Sequence, residues 1–108
     1  MTYIKSNFFT NSISPSSDYT ITTYRGVGET YIVTASANID INLPSAVTCG
    51  DGYQYNIKSN SNGFTIRIVR TGGISGGTEL IDNQSSVSII NRYESLTLQS
   101  NGSNWFIV

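Results

Sequence analysis

Apolar side chains recur at alternate positions through much of this chain. Ile39, Ile41 and Leu43 alternate with Asp40 and Asn42; Tyr53, Tyr55 and Ile57 alternate with Gln54, Asn56 and Lys58. Phe64, Ile66 and Ile68, and then Leu96 and Leu98, repeat the pattern. A period of two puts one set of side chains on one face of an extended strand, so each run predicts a half-buried strand. Tyr19 to Thr23, Thr30 to Thr34, Leu80 to Asp82, Val87 to Ile90 and Trp105 to Val108 bring the expectation to about nine short strands. Pro44 has no N–H to donate and ends the strand before it.

Turn residues separate these runs. Gly26-Val27-Gly28 stands between the strands at 19–23 and 30–34, and Asn60-Ser61-Asn62-Gly63 between those at 53–58 and 64–68. Short Asn- and Gly-containing connections are hairpin signals, so each pair is expected to fold back on itself. Asn101-Gly102-Ser103 marks a further turn before Trp105, which is expected to be buried. The predicted fold is all-β, an antiparallel β-sandwich or jelly-roll-like module around one core, with no repeat of fixed period. Residues 6–17 show neither a period of two nor one of 3.6 and contain Pro15. Residues 1–18 therefore read as a neck or linker to an upstream shaft, and 19–108 as the head domain. Phe8 and Phe9 are expected to pack on the domain or on a neighbouring chain, because paired phenylalanines are costly to leave in water.

Composition agrees with sheet. Ile, Val and Thr supply 32 of the 108 residues and Ala and Leu only seven, a balance that favours pleated strands over helices. Asn, Ser and Thr supply 39 residues while only 12% are charged. The surface is thus expected to offer neutral hydrogen-bonding groups, suited to uncharged polar ligands such as sugars. A formal charge of −1 with six scattered Lys and Arg gives no basic footprint for a phosphate backbone, so nucleic acid is not an expected partner. No apolar run reaches the length of a membrane span, and no signal-peptide pattern opens the sequence.

Little in the sequence suggests catalysis. There is no histidine, which removes Ser-His-Asp and Cys-His arrangements and the commonest metal ligand. A glycosidase needs two facing carboxylates; Glu79 and Asp82 are the nearest pair in sequence, with Asp51 a third candidate, and all read as surface groups. The lone Cys49 cannot form an internal disulfide, lacks a neighbouring base and reads as a buried thiol. The glycine pairs at 26–28 and 72–77 precede no helix that could receive a phosphate. The sequons at Asn83 and Asn101 match by composition, the second being better explained as a turn. No catalytic residue, metal or cofactor is assigned.

If successive strands simply alternate direction, the connections 24–28, 45–52, 70–78 and 91–94 share the end distal to the neck. They carry Tyr24, Arg25, Asp51, Arg70, Arg92 and Tyr93, the candidate contact residues, since binding groups commonly sit on loops held by a rigid scaffold. The stretch 71–78, with four glycines, is expected to be the most flexible.

Ile39-Asp40-Ile41-Asn42-Leu43-Pro44, Gly52 through Lys58, Phe64 through Ile68, Leu80-Ile81-Asp82 and Ser95 through Val108 together resemble C-terminal head domains of viral fibres. Tail fibres of bacteriophages and fibre proteins of amoeba-infecting large viruses and virophages belong to this group. The likeness spans roughly 32–108 and is a loose pattern with no fixed catalytic signature. It implies a homotrimer on a slender shaft at the virion surface, with loops meeting a host receptor, for which a glycan is the expected class. No shaft repeat precedes Tyr19. Two other readings use the same residues: a structural module that trimerises or caps a fibre or capsid, and a carbohydrate-binding module.

Overall fold

The computed structural model describes residues 9–24, 26 and 28–108. Among the described residues, nine strands fall into two sheets. The five-stranded sheet contains, in spatial order, β1 (Phe9–Ile13), β3 (Glu29–Val33), β5 (Gln54–Ser59), β8 (Ser95–Ser100) and β9 (Trp105–Ile107). The four-stranded sheet contains β2 (Tyr19–Thr20), β4 (Ile39–Asn42), β6 (Ile66–Val69) and β7 (Ser86–Ile89).

The β-rich architecture matches the sequence; the strand pairing does not. β1, β3 and β5 run parallel, as do β2, β4 and β6, and only β7, β8 and β9 pair antiparallel. The chain therefore winds from one sheet to the other and back, one coil at a time, like a short solenoid. Neither expected hairpin forms: β2 and β3 lie in different sheets, as do β5 and β6. Connections here cross between sheets because their polar groups bond to the preceding coil. Thr34 N donates to Ile13 O, Ser36 N to Pro15 O and Asn60 N to Val33 O. At the third corner, buried Ser61 donates from Oγ to Val33 O at 3.0 Å and accepts from Ala35 N at 2.8 Å. A turn sequence that could close a hairpin is instead held by the coil beneath it.

The same stacking hides the repeat. Phe9 pairs with Glu29 and Glu29 with Tyr55, whereas Tyr19 pairs with Ile41 and Ile41 with Ile68. Successive steps therefore differ in length, because the connection 43–53 is longer than its counterpart 21–28 and β4 is longer than β2. Side-chain rungs nevertheless recur in register. Asn42 Nδ2 donates to Thr20 Oγ1 at 3.3 Å, Asn56 Nδ2 to Thr30 Oγ1 at 3.2 Å, and Asn60 Nδ2 to Thr34 Oγ1 at 3.2 Å. In each rung an asparagine of one coil meets a threonine of the coil before it.

Strand alternation correctly identifies the inward faces. Tyr31, Val33, Tyr55, Ile57, Leu98 and Trp105 from one sheet and Ile39, Ile41, Ile66, Ile68 and Ile89 from the other form a single buried core. Trp105 is fully buried as expected, with its indole N–H donating to Pro44 O at 3.2 Å. Phe9–Ile13, inside the segment read as a neck, is the outermost strand of the larger sheet. Phe9 itself is 48% exposed, and Phe8 lies outside the described residues. Leu80–Asp82 is not a ladder strand. It covers the outer edge of β9 instead: Trp105 N donates to Leu80 O, Asp82 N to Trp105 O, and Ile107 N to the Asp82 carboxylate at 3.1 Å. An otherwise open sheet edge is thereby shielded.

Candidate functional site

The topology sorts the connections between two ends. Residues 21–24, 43–53, 70–85 and 101–104 lie where β3 and β5 begin; 14–18, 34–38, 60–65 and 90–94 lie where they end. The expected grouping is thus corrected at one member. Tyr24, Asp51 and Arg70 share the first end, while Arg92 and Tyr93 lie at the other, because β8 runs antiparallel to β5. Arg92 donates to Asn60 Oδ1 at 3.4 Å and stands 4.8 Å from the centroid of the Tyr93 ring. Tyr93, exposed with a φ of 69°, projects from this turn. Arg25 lies outside the described residues.

At the first end, Tyr24 is half exposed and packs its ring on that of Tyr53, with centroids 4.8 Å apart. Beneath it lies a buried polar network. Glu29 is fully buried, and its carboxylate accepts from Tyr53 OH at 2.8 Å, Thr23 Oγ1 at 2.6 Å and Asn11 Nδ2 at 3.1 Å. Tyr55 OH donates to Thr23 O at 2.7 Å. A buried carboxyl group is tolerable only where such donors surround it. Burial pushes the Tyr31 phenol up to about 12 and raises those of Tyr55 and the Cys49 thiol above their ordinary values. Burial thus keeps these phenols and the thiol in their neutral forms at neutral pH.

Arg70 is committed to its own loop. Its guanidinium donates to the backbone oxygens of Gly73 at 3.1 Å, Ile74 at 2.6 Å and Glu79 at 3.4 Å. The glycine-rich stretch 71–78, expected to be the most flexible, is therefore anchored by the residue that precedes it, and it contains the helical turn α2 (Gly73–Gly76). Gly77 is required at its close: a Cβ there would stand 2.4 Å from Thr71 O and 2.8 Å from Arg70 Nε. Glu79 has a similar role. Its carboxylate accepts from Ser45 Oγ at 2.7 Å and Ala46 N at 2.8 Å, capping the helical turn α1 (Ala46–Cys49). Asp82 is likewise engaged at the β9 edge.

Sequence reasoning overlooked the two outer sheet faces. On the smaller sheet, a shallow groove of about 400 Å³ is lined by Asn38, Asp40, Thr65, Arg67 and Ser88. Arg67 makes a bidentate pair with Asp40 at 2.9 and 2.8 Å, which raises the guanidinium pKa further. On the larger sheet, register aligns Gln54, Gln99 and Phe106 in one row, and Thr10, Thr30, Asn56 and Thr97 in the next. A third row runs Ser12, Ile32, Lys58 and Ser95, so Lys58 is the one charged side chain in the three rows. Beside the first row a groove of about 230 Å³ is lined by Gln99, Ser100, Asn101, Phe106 and Val108. The signal was available in the alternation itself, in the polar residues between the apolar ones, but their alignment depends on parallel pairing.

No group of three or more metal-ligating side chains occurs among the described residues. Comparison with known proteins finds no matching family model, no similar curated protein and no similar solved structure.

Proposed function

We propose that this chain is the non-enzymatic head of a viral fibre, a homotrimer at the virion surface that attaches to a host receptor of glycan type. The observation that carries the reading is the stack of parallel coils, covered on one side by the antiparallel strands β7 and β8–β9. Such a stack builds along one axis and ends in a differently folded cap, which suits the tip of a slender assembly. Neutral, hydroxyl- and amide-rich faces suit an uncharged polar receptor, and three copies would turn weak single contacts into avidity.

Light scattering and a glycan array test this together. The expected result is a mass about three times the 11.8 kDa of the chain, with retention on a subset of immobilised oligosaccharides. A stable monomer at micromolar concentration that binds no oligosaccharide overturns the proposal.

A second reading, a structural capping or trimerising module, is favoured by the engagement of Arg70 and Glu79 within the fold. Alanine at Tyr24, Asp51, Arg92 and Tyr93 together separates the two. Unchanged attachment of this variant and of variants on both outer sheet faces would favour the capping role.

A further inference from the structure

We infer that the groove between Gln99, Asn101 and Phe106 on the larger sheet is a binding site for a neutral saccharide chain. This inference rests on the attachment reading above and gives it a location on a sheet face, outside the predicted contact loops.

The chemistry follows from one row of side chains. Gln54 Nε2 donates to Gln99 Oε1 at 2.8 Å. That bond fixes both amides and leaves the Gln99 –NH2 as a donor and the Gln54 carbonyl as an acceptor at opposite ends of the pair. Sugar hydroxyls can each donate and accept, so an uncharged donor and an uncharged acceptor in one row match a saccharide chain better than charged groups would. Phe106 follows in the same row, 41% exposed on the outer face. An exposed aromatic surface next to ordered amides offers the apolar platform that the C–H face of a pyranose covers.

The surroundings favour an uncharged and extended ligand. The next row presents Thr30, Asn56 and Thr97, with Asn56 donating to Thr30 at 3.2 Å. Hydroxyl and amide groups therefore continue away from Phe106 at the spacing of neighbouring strands, about 4.8 Å. At the groove's rim, Asn101 Oδ1 accepts from Ser103 N and Asn104 N, which holds the β8–β9 turn in place. The site is thus preorganised by backbone and amide bonds, which lowers the ordering cost of binding.

Chemical-shift mapping of the intact protein titrated with maltohexaose, cellohexaose, chitohexaose and mannohexaose tests the inference, with sialyllactose as an acidic control. Expected are shifts clustered at Gln54, Gln99, Asn101 and Phe106 for at least one neutral chain, weakened tenfold or more by Phe106→Ala. Gln99→Glu, which keeps side-chain length but adds charge and removes the donor, is expected to weaken binding comparably; Arg67→Ala, on the other sheet, is expected to leave it unchanged. Thermal midpoints of all variants establish that they fold. Binding unaffected by both Phe106→Ala and Gln99→Glu overturns the site while leaving the attachment reading intact. The site is equally overturned by binding of sialyllactose alone, by shifts confined to Tyr24 and Asp51, or by silence toward all five sugars. If Phe106→Ala converts an oligomer to a monomer without any saccharide response, the face is a contact between copies and the inference fails.

Discussion

Tyr53 donates its phenolic hydrogen to the buried carboxylate of Glu29 across 2.8 Å, and so ties the third coil of the stack to the second. Asn11 reaches the same carboxylate from β1, which brings the first coil into the bond set. One buried acid therefore fixes the relative register of three strands that share no hairpin.

Removing the phenolic donor is expected to weaken the fold. Tyr53→Phe keeps the ring that packs on Tyr24 and Tyr55 but takes one donor from Glu29, a change of about 1–3 kcal/mol for a buried acceptor. Urea unfolding should show a lower midpoint at unchanged slope.

Trp105 is the only tryptophan and fully buried. Replacing it with alanine would open a large cavity next to Tyr55, costing about 3–5 kcal/mol. In the parent protein its emission is expected to shift to longer wavelength in one step on unfolding.

Alkali should unfold the protein through its tyrosines. Tyr31 holds its proton to about pH 12 in the native state because burial disfavours the phenolate, whereas an unfolded tyrosine titrates near about pH 10. The native pKa is the higher one, so this contribution to stability is complete below about pH 10 and is lost as pH rises toward about 12. Absorbance titration of the phenolates should show Tyr31 and Tyr55 ionising together with loss of strand signal.

Arg70 carries a different expectation. A lysine cannot reach the oxygens of Gly73, Ile74 and Glu79 at once, so Arg70→Lys should raise amide exchange across 72–79 while leaving β3 and β5 protected. Hydrogen exchange followed by mass spectrometry reads this directly, and uniform protection would show that the loop is held by other contacts.

The Asn–Thr rungs should be energetically coupled. A double-mutant cycle with Asn56→Ala and Thr30→Val is expected to give a coupling of about 0.5–1 kcal/mol. Pairing either variant with a change at Ser88, in the other sheet, should give none.

The inward residues were legible because alternation is local. Ile39, Ile41, Leu43, Tyr55, Ile57 and Leu98 are all buried where the pattern put them. Pairing was not legible, because a strand's own sequence does not state which neighbour its edge will meet. Asn60 to Gly63 reads equally well as a hairpin turn or as a corner; what decides is Ser61 bonding to Val33 and Ala35, far away in sequence. The unequal steps between paired positions blurred the repeat that would have revealed those neighbours. The candidate face suffered the same fate: Gln54, Gln99 and Phe106 become a row only once β5, β8 and β9 are adjacent.

Parallel backbone pairing that repeats from coil to coil makes molecular length a separable variable. A duplicated winding spliced into the middle would find main-chain partners above and below, so reach could change by whole increments while both extremities kept their surfaces.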